Sequence, residues 1–275
     1  MEKLIDFDDP DTFPKELQMW DDEFERYILD NISLDGVTEW WQIREQLQNL
    51  HIKEKSIVTG FLKNNMETEI AVSHCTRILD EESYWKQGLV TSGGKGALEE
   101  QRIRKLLLQV GISEDMMEKI FEHIYIYWNR DKKSRTESVH FVIDKKYIYK
   151  DVKVSNFAIN LGGEVLRWSM ENVNRNLYKQ EPYKRLWIFG KPCIVKFKCK
   201  LSEIHDCRRS ALISEIVNYF IVTKMYGYPY EFEFTGMTTG NVSPENIISI
   251  EEIQNFIEIQ GEYEDEGFYD ELKKK

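Results

Sequence analysis

Cysteine is scarce in this 275-residue chain, and its four cysteines form no CxxC pair. So few cysteines without paired spacing exclude a disulfide scaffold and favour a reducing compartment. No stretch approaches 18 uncharged apolar residues, so we expect no membrane-spanning helix. The first residues, MEKLIDFDDPD, lack the basic and then apolar regions of a secretory signal. These absences together predict a cytoplasmic protein.

Several sequence motifs of catalytic or metal sites are also missing. The five histidines include no HExxH pair and no Cys/His cluster, so we expect no metal. The glycine-rich segment TSGGKG lacks the GxxxxGK[ST] spacing of a phosphate-binding P-loop. A GxSxG nucleophile elbow is absent, which disfavours an α/β-hydrolase.

Apolar residues and charge, by contrast, are abundant. Hydrophobic residues make up 41% of the chain and aromatic residues 13%, enough for one large domain or a main domain with an appendage. The net charge of −11 is uneven, because residues 1–31 hold eleven acids and three bases while residues 175–209 hold ten bases and three acids. The basic segment could attract phosphate or nucleic acid. Alternatively, its alternating lysines line the solvated face of a strand and acids elsewhere neutralise them.

Hydrophobic periodicity divides the chain into three parts. Residues 1–65 read as an acidic helical lobe, with the polar segment FLKNNMETE as its boundary. Residues 69–250 carry strands and helices in clusters, which predicts an α+β domain, and residues 251–275 form an acidic C-terminal segment. The predicted helices lie at 98–110, 114–128 and 211–226. A predicted strand begins at Glu69, and the others lie at 139–143, 147–149, 156–161, 186–189, 193–201, 231–235 and 246–250.

One motif stands out in the second part. The residues Ser73-His74-Cys75-Thr76 end a strand and precede a short aromatic helix that ends in Gln87-Gly88-Leu89. This pattern resembles the opening motif of the ADP-ribosyltransferases, which include the poly(ADP-ribose) polymerases and bacterial ADP-ribosyltransferase toxins. The resemblance extends over residues 69–250, with helices 98–128 as an insertion. It implies a split, strongly bent β-sheet that holds NAD in a cleft.

The resemblance also implies roles for individual residues. His74 would bind a ribose hydroxyl of NAD, the backbone of Cys75 would pair with the nicotinamide amide, and Thr76 would support the strand end. Phe141, on the next core strand, would lie near nicotinamide, and Tyr149 is a further candidate for contact with NAD. From the residues alone, His74 can equally be a hydrogen-bonded core histidine, and Tyr149 can be a packing residue.

The reaction needs a carboxylate near the ribose, where positive charge develops as nicotinamide leaves. Glu164 is the first candidate, because Gly162 and Gly163 before it let the backbone approach a ligand closely. Its alternative role is to begin a helix, where acids are favoured. Glu233 and Glu245 stay open as other candidates, the latter in a segment that resembles the closing Pro-Glu-x-Ile strand entry of bacterial family members.

The resulting expectation is a bacterial, NAD-dependent ADP-ribosyltransferase-like toxin or anti-phage defence effector. It would use NAD as co-substrate without a metal, modify a nucleic acid or protein acceptor, and bind an antitoxin or a defence-complex partner. The alternative is a non-catalytic interaction protein that docks a partner through its acidic helical lobe. A nucleic-acid-binding subunit is a third reading, which the net charge disfavours.

Overall fold

The computed structural model describes residues 4–130, 132, 136–150, 163–175, 177, 180–183, 185–188 and 190–253. In this part of the chain, helices surround an open, largely antiparallel six-stranded sheet. The predicted α+β class is therefore confirmed. The strand predicted at 156–161 and most of the acidic C-terminal segment lie outside the described residues. None of the described helices is both long and apolar enough to cross a bilayer.

The sheet is built around one long antiparallel pair. Its strands are β1 (Ile5–Asp6), β2 (Glu69–Ile78), β3 (His140–Val142), β4 (Lys191–Lys200), β5 (Thr235–Met237) and β6 (Ile247–Glu252). They lie in the order β5-β3-β2-β4-β6, and β1 pairs in parallel with the start of β2. Strands β2 and β4 pair along all ten residues of each, and this pair forms the centre of the sheet.

The helices follow the predicted periodicity closely in most places. They are α1 (Asp22–Asn31), α2 (Trp40–Asn49), α3 (Ser56–Asn64), α4 (Glu81–Gln87), α5 (Leu98–Gln109), α6 (Glu114–Arg130), α7 (Lys145–Lys150), α8 (Gly163–Val173), α9 (Arg185–Ile188) and α10 (Asp206–Phe220). The carboxylates of Asp21 and Asp80 accept backbone N–H bonds and so cap α1 and α4. A single π turn extends α10 to Met225.

The main hydrophobic core lies on one face of the sheet. It joins Val72 and Phe197 of the sheet to Ile216 of α10 and to Leu17 and Ile43 of the N-terminal segment. The acidic helical segment 1–65 therefore contributes to the same core as the sheet. A second cluster joins α5, α6 and α8, and a small third cluster covers the opposite face of the sheet.

Three strand predictions are wrong. The segment around Tyr149 is helix α7, and most of 186–189 belongs to helix α9. Most of 231–235 is irregular, and the strand there begins only at Thr235. Short apolar runs do not distinguish strand from helix by periodicity alone. In α7 a single residue, Ile148, is buried while Tyr149 is exposed, as expected of a short surface helix.

The lysines of β4 are neutralised within the fold. The ammonium of Lys196 lies 2.7 Å from a carboxylate oxygen of Asp6 and 2.8 Å from one of Asp8. Lys198 pairs with Glu69 at 2.9 Å, and Lys200 pairs with a glutamate in the turn before β2 at 2.7 Å. The structure thus favours the second reading of the basic segment, in which acids elsewhere in the chain balance its charge.

Candidate functional site

The sheet has a narrow junction between β2 and β3. Within the described residues these strands pair at one position, Ser73 with Val142, whereas β2 and β4 pair over their full length. Immediately after this pair, the imidazole Nδ1 of His74 lies 2.7 Å from the carbonyl oxygen of His140. The motif histidine therefore lies where the two parts of the sheet meet.

The hydrogen bond of His74 determines which nitrogen of its imidazole carries the proton. A carbonyl oxygen only accepts, so Nδ1 carries the proton and Nε2 is left as an acceptor. Burial lowers the pKa of His74 to about 4, outweighing the opposite effect of the bond to His140. At neutral pH this imidazole is uncharged and can accept a hydrogen bond from a hydroxyl group.

The end of β2 borders a cleft between α4 and α5. The side chain of Thr76 hydrogen bonds to the hydroxyl of the half-buried Tyr84, whose pKa is raised by burial. Tyr84 also lines a cleft of about 470 Å³, which we call the strand-end cleft. Three cationic residues, Arg77, Arg102 and Lys105, line the same cleft. Glu99 and Asp80 partly offset this charge, leaving it with a small positive balance.

Arg77 is the buried member of this set. Its guanidinium donates a hydrogen bond of 2.8 Å to the carbonyl oxygen of Gly190, and burial lowers the pKa of Arg77 to about 10. Arg102 donates to the side-chain oxygen of Gln87, the last residue of α4. Arg102 also lies 3.7 Å from a carboxylate oxygen of Glu99. Arg77 and Arg102 therefore each have a neutral hydrogen-bond partner, which does not cancel their positive charge.

Two distant motif segments meet at the end of α4. Leu89 and Val242 exchange backbone hydrogen bonds of 3.0 and 2.8 Å. Gly88 has a φ of +76°, and a Cβ atom there would lie 1.9 Å from the carbonyl oxygen of Val242. Helix α4 also packs on the turn Pro244–Asn246, which leads directly into β6. The Gly-Leu and Pro-Glu segments, separated by more than 150 residues, thus contact each other.

The other residues predicted to contact NAD are divided between the two faces of the sheet. His74 and Thr76 share the face of the main core, because alternate residues of a strand point the same way. The side chain of Cys75 is buried in the third cluster, on the opposite face, and Tyr149 lies close enough to influence it electrostatically. Phe141 is buried against Phe197 in the main core. The geometry gives Phe141 a packing role.

The three candidate acids differ in their surroundings. Glu164 lies in the first turn of α8, a helix that packs on α6, and its side chain is outside the described residues. Its position agrees with the helix-start alternative. Glu233 forms an ion pair with Arg44, and its carboxylate lies 3.0 Å from the guanidinium. Glu245 is exposed in the turn before β6.

One buried polar group was missed from the sequence. Glu215 of α10 is only 5% exposed, and its carboxylate accepts bonds from Arg44 (3.1 Å) and from the hydroxyl of Tyr230 (2.7 Å). Burial raises the pKa of Glu215, against the effect of Arg44. The available signal was a lone acid in the apolar run of α10, which requires a buried partner. The contact joins α2 to α10.

The described residues include no group of three or more His, Cys, Asp or Glu side chains able to hold a metal ion. Comparisons with protein-family models, with curated proteins and with solved structures find no match for this chain.

Proposed function

We propose that the protein is an NAD-dependent ADP-ribosyltransferase-like enzyme of the toxin or defence-effector type. In this proposal the narrow junction between β2 and β3 is the split of the family's sheet, and NAD lies against it. The observation that carries the proposal is the convergence of the motif segments. Thr76, two residues after His74, bonds to Tyr84 of α4. The Gly88-Leu89 pair at the end of that helix contacts Val242, and the helix packs on the Pro244–Asn246 turn.

The chemistry of these residues fits NAD. The free Nε2 of a neutral His74 can accept a hydrogen bond from a ribose hydroxyl. Arg77, Arg102 and Lys105 in the strand-end cleft can neutralise a pyrophosphate. NAD supplies the ADP-ribose group, and release of nicotinamide leaves positive charge on the ribose. A carboxylate of this chain would stabilise that charge and take the proton of the acceptor.

The first test is titration of the purified protein with NAD, with nicotinamide release as the readout. We expect saturable binding and turnover in the wild type. Replacing His74 with Ala should lower both while the melting temperature stays nearly the same. The matched control is His123→Ala on α6, which should leave turnover unchanged. If His74→Ala unfolds the protein, His74 is a structural histidine and the proposal loses its principal residue.

The catalytic acid requires a separate test. Glu164→Gln preserves size and hydrogen bonding, so it isolates the charge. If Glu164 acts on the reacting ribose, transfer should fall roughly a hundredfold or more, with little change in NAD affinity. A helix-start role predicts a stability loss of about 0.3–1 kcal/mol with activity intact. Glu245→Gln is the comparison, because Glu245 is exposed beside α4 and is the next candidate.

One observation favours the alternative, a non-catalytic interaction protein. Large apolar side chains are exposed on the acidic N-terminal segment, among them Met19 (78%) and Trp41 (51%). Apolar groups among acids suit a basic amphipathic partner. Binding of a basic amphipathic peptide that weakens with salt and is lost in Trp41→Ser, without any NAD turnover by the wild type, would favour this function.

A further inference from the structure

A second cleft lies beyond the Leu89–Val242 contact, apart from the residues assigned to NAD above. The glycine-rich loop Thr91–Gly96, the end of α6 and the turn 239–241 enclose it. We call it the glycine-loop cleft. Its volume is about 850 Å³, and ligand pockets for small molecules occupy roughly 300–1,000 Å³. The cleft is thus large enough for a small ligand.

The loop that forms one wall is held in place from several sides. The N–H of Gly93 donates to the carbonyl oxygen of Thr136 at 2.9 Å, and the N–H of Thr91 donates to Oδ1 of Asn241 at 2.8 Å. Gly96 donates to the buried carboxylate of Glu100 at 2.6 Å. These bonds fix the loop before any ligand arrives, which reduces the entropy lost on binding.

Glycine is required by the shape of this loop. Gly93, Gly94 and Gly96 have φ values of +64°, +81° and +83°, a region that other residues rarely adopt. The absence of side chains also exposes the backbone amides. In the part of the chain that the structure describes, the N–H groups of Gly94 and Lys95 donate to no protein acceptor. Two successive free amides on a fixed loop suit an anion.

The charged side chains of the cleft favour an anion as well. Lys95 and Lys132 line it, and neither forms an ion pair with a carboxylate of the described residues. The ammonium of Lys95 lies 5.1 Å from the ring centre of Tyr125, which orients its side chain toward the cleft. The described lining contains one carboxylate, Glu137. Lys95 and Lys132 differ in this respect from the lysines of β4, which all form ion pairs with carboxylates.

We propose that the glycine-loop cleft binds the phosphate groups of a small diphosphate-bearing ligand. The amides of Gly94 and Lys95 would donate to phosphate oxygens, and the ammonium groups of Lys95 and Lys132 would neutralise their charge. The amide nitrogen of Asn241 offers a further donor on the opposite wall, since its Oδ1 already accepts from Thr91. This site does not depend on the proposed transferase activity.

The test is calorimetric titration of the full chain with inorganic pyrophosphate. The wild type should bind it saturably, and the double variant Lys95→Gln/Lys132→Gln should bind about tenfold more weakly or worse. The matched control is Lys119→Gln, an exposed lysine of α6 outside the cleft, which should bind as the wild type does. Asn241→Asp is the second variant, for use if the lysine double variant does not fold. It keeps the acceptor for the N–H of Thr91 and adds a negative charge to the cleft, so it should also weaken pyrophosphate binding.

The outcomes separate this site from the NAD site and from a nucleic-acid surface. Arg102→Gln removes a cation of the strand-end cleft and should leave this pyrophosphate binding unchanged. Binding that is lost in Arg102→Gln but kept in the double lysine variant would overturn the proposal. No saturable binding by the wild type up to about 10 mM, or equal affinity in the folded double variant and Asn241→Asp, would overturn the proposal. Tight binding of a single-stranded oligonucleotide without binding of pyrophosphate would also overturn it.

Discussion

At the scale of the residue, Glu215 shows how a polar contact can join two distant parts of the chain. Its buried carboxylate receives the guanidinium of Arg44 and the hydroxyl of Tyr230. Arg44 also packs over the ring of Trp40, with 5.8 Å from the guanidinium carbon to the ring centre. Charges removed from water in this way are tolerated only when each keeps its partner.

We therefore expect Glu215→Gln to destabilise the protein by about 3 kcal/mol, because it leaves the charge of Arg44 poorly compensated. The measurement is the free energy of unfolding in urea. Glu233→Gln removes the other, half-exposed partner of Arg44 and should cost less than about 1 kcal/mol. Equal losses in the two variants would contradict the assignment of Glu215 as the central partner.

His74 should make stability depend on pH. Its pKa is about 4 in the folded protein, and about 6.5 in an unfolded chain. Between these values the unfolded state binds more protons, so the free energy of unfolding should fall as pH drops from about 6.5 to 4. The two pKa values differ by about 2.5, so the stability lost over this pH range is on the order of 3 kcal/mol.

His74→Gln can still donate to the carbonyl of His140 but does not titrate. Unfolding in urea at about pH 5 and pH 7.5 should therefore show a smaller difference in the variant than in the wild type. If both proteins lose the same stability on acidification, other groups account for the pH dependence.

At the scale of the element, the contact between the end of α4 and the strand entry of β6 depends on one glycine. Gly88 ends α4 with a positive φ and has no room for a Cβ beside Val242. The backbone bonds of Leu89 follow immediately. A side chain at this position would have to separate the end of α4 from the segment that leads into β6.

Gly88→Ala should thus lower the free energy of unfolding by about 2–5 kcal/mol, combining left-handed strain with a steric clash. Gly36 is the matched control, because its φ is +74° and nothing lies within 4 Å of a Cβ there. Gly36→Ala should cost only the strain, about 1–2 kcal/mol. Similar losses in both variants would show that Val242 can move aside.

At the scale of the whole molecule, the N-terminal segment is joined to the rest by packing and by charge. Strand β1 pairs with β2, Asp6 and Asp8 hold Lys196, and Leu17 and Ile43 lie in the main core. The sequence placed a domain boundary between residues 65 and 69, and that boundary stays a prediction. The shared core implies that residues 1–65 are needed for the α+β domain to fold.

A chain that begins at residue 66 should therefore aggregate or bind hydrophobic dyes, because deletion of residues 1–65 exposes one side of the main core. Light scattering and near-ultraviolet circular dichroism would report this, with the full chain as control. A monomeric, cooperatively folded fragment would show instead that the N-terminal helices are an appendage.

The sequence alone determined the class of the fold and most of its elements. The apolar strand that begins at Glu69, the alternating lysines of β4 and the apolar periods of α5, α6 and α10 are local patterns, and each formed the expected kind of element. Gly88 was also readable as a helix end, and Gly93, Gly94 and Gly96 as parts of a loop. These features depend on neighbours close in sequence, so periodicity and turn chemistry suffice to find them.

Only the tertiary structure decided which residues meet. The neutralisation of the β4 lysines, the burial of Glu215 and the contact of Gly88 with Val242 each join residues more than 100 positions apart. The segment Lys145–Lys150 is a helix that buries only Ile148. Burial and long-range pairing depend on the path of the whole chain, and local patterns carry no information about them.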